Sequence, residues 1–306
     1  SLSKYVEFYY SFNQVGLTYI DTDTADYVQG VLQIEINDSI TSNNIINKHW
    51  IISNEITDTV NLDKSLIGLV GFVIDKGSYI INITGSDANN PLNKKTINEK
   101  ISVQPFLNSN LALSDVQLSS NIIPNSENTS SIFYKNTFEV TPLPASVCGE
   151  MQPVLFYYSE LYNLMDEISN SEMRLDEMII NSRGQLVSSK SKKISKSVNT
   201  RVEVGLVKAY KFPTDTYTLR LNLIDSVANY GVSSSKRFFV YNPSIVTPDT
   251  FQTTVSPVLS TTFGAMSEEE IDCWTRSVLS PDGQLALVGI DERILVLDIT
   301  TGQRLQ

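Results

Sequence analysis

Apolar side chains alternate with polar ones along most of this chain. Val6, Phe8, Tyr10 and Phe12 alternate with Tyr5, Glu7, Tyr9 and Ser11, and Leu32, Ile34 and Ile36 alternate with Gln33, Glu35 and Asn37. A period of two marks a half-buried antiparallel strand. Further apolar runs at 45–52, 68–74, 79–84 and 99–104 are separated by Asn, Asp, Gly and Ser clusters, which end strands and make turns. Beyond a connector at 105–110, the same texture predicts strands near 112–118, 132–140, 153–163, 172–180, 186–194, 200–210, 217–224 and 235–241. Asn181-Ser182-Arg183-Gly184 is a turn signal, so 172–194 reads as a hairpin. Leu161, Leu164 and Met165 have helical spacing, but the aromatic run before them favours a strand. No amphipathic helix separates the runs, which argues against a βαβ fold and for a sandwich.

The chain also says the same thing twice. Val6-Glu7-Phe8-Tyr9-Tyr10-Ser11 returns as Val154-Leu155-Phe156-Tyr157-Tyr158-Ser159. The run from Gly77 through Tyr79 to Asp87 returns from Asp215 through Tyr217 to Asp225, with the same Tyr-to-Asp spacing. Duplication of a strand-rich unit is the economical reading, with Phe8 equivalent to Phe156 and Tyr79 to Tyr217. It predicts a mainly β chain of two tandem immunoglobulin-like antiparallel sandwiches, 1–108 and 109–243, each near the size of such domains. Tyr79 and Tyr217 follow polar turns; each is expected to be buried with its hydroxyl tied to backbone, as in a tyrosine corner.

The pattern changes after Pro243. Residues 244–276 form a Thr-, Ser- and Pro-rich linker or strap ending in a helix start. There Ser267 and Glu270 make a capping box, and three glutamates sit where the helix dipole favours anions. The helix does not continue: Cys273-Trp274 gives way to β-pattern sequence. Residues 277–306 read as an orphan β segment with a Pro281-Asp282-Gly283 turn and a Thr301-Gly302 turn. Its apolar alternation, Leu285, Leu287, Ile294, Val296 and Ile299, is shaped for neighbours that the sequence does not supply.

Composition narrows the function classes. The net charge is −11. It is carried by the ends: 7 basic against 12 acidic side chains in 1–108, 13 against 13 in 109–243, and 3 against 9 in 244–306. An acidic surface repels phosphate backbones, so nucleic acid is not an expected partner. The one basic run, Lys190 to Lys196, with four lysines, reads as a solvated strand or hairpin. No stretch reaches the roughly 20 apolar residues that span a bilayer. The chain opens at Ser1 almost inside its first strand, which suggests that a leader is not included. Its 2 cysteines, Cys148 and Cys273, lie in different segments and indicate no disulfide framework.

The candidates for chemistry are thin. Asp21-Thr22-Asp23-Thr24-Ala25-Asp26 offers three carboxylates to a calcium ion but lacks the glycine and distal glutamate of an EF-hand loop, and a solvated turn is the better reading. His49 is the single histidine, which leaves no His-based triad or two-histidine metal site within the chain. It is read as structural or exposed. Cys148 has no neighbouring histidine or lysine to make a thiolate and reads as inert. Asp166/Glu167 and Asp176/Glu177 are adjacent along strands and point to opposite faces, so neither is an acid–base pair. No catalytic, cofactor-binding or metal residue is assigned. The aromatics of 8–12 and 156–162 could form a carbohydrate-binding strip, though alternation turns about half of them inward.

Two family resemblances rest on these residues. Tyr5 to Ser11, Leu113-Ser114-Asp115-Val116-Gln117-Leu118, Val140-Thr141-Pro142-Leu143-Pro144, Phe156 to Leu164 and Phe263 to Asp272 resemble, in order, the upstream part of the bacterial GWxTD domain-containing proteins. The resemblance covers 1–272 and implies an exported, extracytoplasmic bacterial protein with β-rich modules before a helical domain. The Gly-Trp-x-Thr-Asp motif itself is absent. The tail resembles one blade of a WD40-like propeller through Ser280-Pro281-Asp282-Gly283-Gln284, Gly289-Ile290-Asp291, Ile294 to Asp298 and Thr300-Thr301-Gly302. The junction at 272–274 therefore reads as a join of unrelated sequences, for which natural fusion, artificial joining and assembly error stay open.

The expected function is non-catalytic: a structural or protein-interaction module. The alternatives are the accessory part of a polysaccharide- or peptide-acting enzyme whose catalytic domain lies elsewhere, with carbohydrate as the partner, and a fragment of a WD40-like scaffold. No cofactor is expected. Stability should accordingly be indifferent to chelator. Addition of EDTA is expected to leave the melting temperature unchanged, whereas a drop beyond about 4–8 °C, near 1 kcal/mol for one such domain, would restore the calcium reading of the 21–26 loop.

Overall fold

The computed structural model describes residues 3–22, 25–56, 64–104, 106, 111–165, 173–225, 230–245 and 305, and the backbone of 274–279, 285–290 and 293–298. It is mainly β, with several antiparallel sheets. The chain divides into two compact units, Ser1–Val246 and Thr247–Gln306.

The first unit holds two cores. The first is built by β1 (Ser3–Asn13), β2 (Tyr19–Ile20), β3 (Tyr27–Asp38), β4 (Asn44–Glu55), β5 (Ser65–Asp75), β6 (Gly77–Asp87) and β7 (Lys94–Val103). β1 and β5 pair as a two-stranded sheet. They face a sheet in which β4, β3, β6 and β7 are neighbours and β2 pairs with the start of β3. Leu32, Ile34 and Ile36 enter the core from β3, as their alternation predicts, and Val6, Phe8, Tyr10 and Phe12 meet them from β1. Trp50 on β4 packs against Phe72 on β5 across the core.

The second core lies between two larger sheets, built from β8 (Ala112–Leu113), β9 (Gln117–Ile123), β10 (Tyr134–Lys135), β11 (Phe138–Pro142), β12 (Val147–Gly149), β13 (Leu155–Tyr162), β14 (Met173–Ile180), β15 (Leu186–Ile194), β16 (Thr200–Val207), β17 (Asp215–Asp225) and β18 (Tyr230–Tyr241). One sheet runs β10-β11-β9-β13-β16 with β8 also on β13; the other runs β12-β18-β17-β14-β15. Every pairing is antiparallel except the parallel β12–β18. β14 and β15 form the expected hairpin, closed by Asn181–Gly184 with Gly184 at φ +77. That left-handed position is where glycine costs least.

The topology occurs twice. β1 pairs with β5 as β13 pairs with β16, and β4-β3-β6-β7 has the same order along the chain and in the sheet as β15-β14-β17-β18. Tyr79 and Tyr217 are both buried, and each donates its hydroxyl hydrogen bond to the carbonyl four residues earlier, Asp75 and Pro213, at 3.0 Å.

The echo that suggested the repeat is nevertheless one residue out of step. Phe8 packs on the first core, whereas Phe156 lies between the inward-facing Leu155 and Tyr157 and is outside the second. The physical equivalence runs through Tyr10 and Tyr157. Tyr10 lies directly across from Gly68, and Tyr157 directly across from Gly205, each ring covering its glycine where a Cβ would collide with the phenol. A slip of one residue exchanges the faces of a strand, so matching letters paired an inward Phe with an outward one.

Other expectations shift for local reasons. The run 132–140 is broken because Asn136 and Thr137 both take positive φ, making a turn between β10 and β11. The run 112–118 is interrupted at 114–116 between β8 and β9. β12 is only three residues long, which leaves no period to read. The helix start at 266–272 lies outside the described residues. In the second unit, β19 (Trp274–Leu279), β20 (Leu285–Ile290) and β21 (Arg293–Asp298) form a three-stranded antiparallel sheet in that order, beginning three residues before the expected 277.

The tyrosine-over-glycine pair generates a direct test. Gly205→Ala forces a methyl into the ring of a fully buried tyrosine and should destabilise the chain by about 1–3 kcal/mol in urea unfolding. Gly16→Ala, where a Cβ meets open space, should change it by less than about 0.5 kcal/mol. Equal effects would show that the pair does not set the register.

Candidate functional site

With Phe8, Tyr10 and Phe12 turned inward, the pleat of β1 turns Glu7 and Tyr9 outward. On β13 the same rule turns Tyr158, Glu160 and Tyr162 outward. These two faces meet across a cleft of about 870 Å³, and a polar network joins them. The ammonium of Lys135, on β10, reaches the Glu7 carboxylate at 2.8 Å and the Tyr9 hydroxyl at 3.0 Å. The single proton of the Tyr9 hydroxyl is shared between two acceptors, the Glu7 carboxylate and Gln117 Oε1, the latter at 2.9 Å. Tyr158 donates to Glu160 at 2.7 Å, Tyr162 donates to the same carboxylate, and the amide of Asn136 donates to both Tyr158 and Glu160. Lys135 also lies 5.1 Å from the Tyr158 ring centroid, within cation–π range. At the rim, Lys4 stands 3.9 Å over the Phe106 ring, which leans on Tyr162.

Burial raises the pKa of Tyr9 far above the usual phenol value, and its hydrogen bond to Glu7 adds to the effect. Burial and the Glu160 carboxylate act in the same direction on Tyr162. On Tyr158 burial wins over the opposing Asn136 amide. The phenols are therefore neutral donors to carboxylate acceptors. Such a network can hold two modules in register and can offer a ligand hydrogen bonds at its margin; nothing in it makes a nucleophile.

The sequence candidates fall elsewhere. Asp21, Thr22, Ala25 and Asp26 sit in a loop where Thr22 bonds the backbone of Ala25 and Tyr19 donates to Asp26; Asp23 and Thr24 lie outside the described residues. Among the described residues no group of three His, Cys, Asp or Glu is placed to hold a metal. His49 is exposed on β4 opposite Gln33. Cys148 is buried on β12, and burial pushes its thiol up to about 12, the reverse of an activated cysteine. Asp176 and Glu177 do face opposite ways: Asp176 takes Arg174 and Ser191, while Glu177 takes Lys190 and the core phenol of Tyr157. Asp166 and Glu167 lie outside the described residues.

The lysine run departs from its expectation. It lies on and just past β15, yet it is not simply solvated. Lys190 pairs with Glu177 at 3.0 Å, Lys192 pairs with Glu203, and Lys196 pairs with Asp225 at 2.6 Å with both side chains under 8% exposed. Sequence reading also missed Gln117, Lys135 and Asn136 as site residues. The only local signal was the turn chemistry of Asn136, because long-range packing between the sheets of the two cores brings Gln117 and Lys135 to β1.

No family model matches the chain, and no curated protein matches it. Among solved structures it is similar to the β-glucuronidase of Parabacteroides merdae, at 10% identity over 76% of this chain and 28% of that one, with a TM-score of 0.25. It is also similar to the Bifidobacterium dentium β-glucuronidase complexed with coumarin-3-O-glucuronide, at 7% identity over 77% and 39%, TM-score 0.24. A calcium-binding mutant of Bacteroides uniformis β-glucuronidase 2 aligns at 11% identity over 78% and 26%, TM-score 0.23. The chain thus spans well under half the length of those enzymes, and likenesses of this size carry no argument about its activity.

The cleft predicts a characteristic alkaline response. A phenol whose folded pKa is raised keeps its proton more tightly in the fold, so the stability it contributes is complete below about pH 10 and is lost as pH rises beyond it. Tyr9, Tyr157, Tyr158 and Tyr162 should stay un-ionised until the chain unfolds and then titrate together. Tyrosinate absorbance followed alongside far-UV circular dichroism checks this; ionisation of all 14 tyrosines before any loss of β signal would contradict it.

Proposed function

We propose that the chain is a non-catalytic protein-interaction region of an exported bacterial protein, in which two tandem immunoglobulin-like sandwiches are held in fixed relation around a polypeptide-binding cleft. The observation that carries this reading is the network of Glu7, Tyr9, Gln117 and Lys135, which joins β1 to the second sheet system through partly buried, mutually satisfied partners. Such contacts fix geometry more than they add net stability. The strand pairing repeated in the two halves supports the immunoglobulin-like assignment, with a parallel β12–β18 pairing at the sheet edge of the second half. Domain limits at 1–108 and 109–243 accord with the division of strands between the two cores. The ordered motif resemblance to the GWxTD domain-containing proteins supports export, and among the described residues no helix is long and apolar enough to cross a membrane.

A second reading has an observation of its own. Tyr9, Tyr158 and Tyr162 share the cleft with three carboxylates, Glu7, Asp115 and Glu160, and phenols beside carboxylates suit sugar hydroxyls as well as peptide groups. This is the accessory-region reading, for a larger polysaccharide-acting protein. The tail adds a third thread, since its three-stranded sheet is compatible with a single propeller-like blade.

Calorimetric titration of the full chain with neutral and uronic-acid oligosaccharides separates the first two readings. The protein-interaction reading expects no saturable heat; saturable binding abolished by Tyr158→Ala would replace it with the glycan reading. The lock itself is tested by Lys135→Met, which removes one partner of the ion pair. Small-angle scattering of that variant should show a broader distribution of inter-module distances, while an unchanged profile would mean that other contacts hold the modules.

A further inference from the structure

The two halves differ in what covers the strand pair that bears the Tyr–Gly contact. In the second half β9 lies along the far edge of β13, with Leu118 directly across from Tyr157. The inward residues Leu155, Tyr157, Ser159 and Leu161 are consequently at most 2% exposed. In the first half β1 is paired only with β5, and among the described residues no strand runs along its other edge. Its inward residues Val6, Phe8, Tyr10 and Phe12 remain only partly buried.

The cleft lies along that edge. A surface formed by one face of a strand is lined by alternate residues, yet this cleft is lined by the consecutive residues Ser3 to Tyr10. It therefore runs along the backbone of β1, over the core face of the opposing sheet at Leu32, Ile34 and Ile83. It is continuous with the inter-module contact at Tyr9 and Gln117, which forms one wall.

We propose that the edge of β1 away from β5, along Lys4 to Phe12, where no strand runs among the described residues, is a strand-acceptor site for an extended segment of another polypeptide, apolar at alternate positions, that pairs antiparallel with β1 and sets an apolar side chain opposite Tyr10. The chemistry of the partner follows from the chain's own duplicate: main-chain hydrogen bonds to the edge supply affinity, and the side chain that closes the core, Leu118 in the second half, supplies selectivity. The proposal rests on the protein-interaction reading above and deepens it.

The probe is a labelled synthetic peptide with the sequence of residues 115–123, from Asp115 to Ile123, titrated into the full chain by fluorescence anisotropy and followed by hydrogen exchange. The expected result is saturable binding, slowed exchange of the β1 amides that point away from β5, and binding at least about tenfold weaker for the peptide carrying Leu118→Asp, the scale of losing one buried leucine. Because the variation is in the peptide, folding of the chain is not at issue. Protection appearing on β13 instead would mean displacement of β9 and would overturn the proposal. So would protection, without peptide, of the β1 amides that point away from β5, the sign of an occupant within the chain, or concentration-dependent dimerisation that protects those amides, the sign of a second copy. Absence of binding overturns the strand-acceptor site alone; the protein-interaction reading falls separately, by saturable glycan binding.

Discussion

Register in the strand pairs β1–β5 and β13–β16 is the constraint on which the first unit depends. Each pair is pinned where a tyrosine ring lies over a glycine directly across from it, Tyr10 on Gly68 and Tyr157 on Gly205. No larger residue fits beneath the ring, and no one-residue slip preserves the contact without turning the apolar set out of the core. Once these tyrosines face inward, the pleat sends Glu7 and Tyr9 out on one strand and Tyr158, Glu160 and Tyr162 out on the other. The polar network in the cleft is thus a consequence of core register. An aromatic pair placed for packing dictates where the carboxylates and phenols of the interface can be.

The repeated topology shows how one frame accepts different chemistry at matching positions. Asp87 and Asp225 both end their strands, eight residues after the corner tyrosine, and both are buried. A buried carboxylate must be paired or amply hydrogen-bonded. Asp87 is served by Thr18 through its amide and hydroxyl and by the amides of Asn89 and Asn90; burial pushes its pKa upward, but these donors outweigh it and hold the carboxyl below its ordinary value. Asp225 is served by the ammonium of Lys196. The first solution locks a loop with backbone donors. The second recruits the lysine run that from sequence reads as mere solvated surface.

Much of the architecture was legible because antiparallel strands write their burial into a period of two. The β3 alternation, the β14–β15 hairpin and the backbone-tied hydroxyls of Tyr79 and Tyr217 could all be read from local pattern and turn chemistry. Three things could not. Equivalence of Phe8 and Phe156 failed because similarity of letters is blind to face, and the decisive glycines sit about fifty to sixty residues downstream on the partner strands. β12 carries no readable period in three residues. Most of the cleft escaped because Lys135 and Gln117 meet β1 only through the packing of one half on the other, across more than a hundred residues of sequence. Alternation divides the aromatics of 8–12 and 156–162, the candidate carbohydrate-binding strip: Phe8, Tyr10 and Tyr157 face the cores, and Tyr9, Tyr158 and Tyr162 face the cleft.

Among the described residues no strand runs along the outer edge of β1, and such an edge over a half-filled core is ordinarily a hazard, since unpaired amides and carbonyls recruit other chains without discrimination. Proteins blunt such edges with proline, bulges or inward charge; β1 uses neither of the first two, since Ser3–Asn13 contains no proline and its register with β5 runs unbroken through all eleven residues, and the one charge on its inward register, Lys4, stands over the Phe106 ring at the rim. What limits access is placement. The second sheet system stands beside the edge, anchored by Lys135 to Glu7 and by Gln117 to Tyr9, so the edge opens into a walled cleft. A flat sheet of another molecule has no straightforward approach, whereas a single extended segment can thread it. The same contacts that fix the two halves in register therefore convert an indiscriminate edge into a selective one.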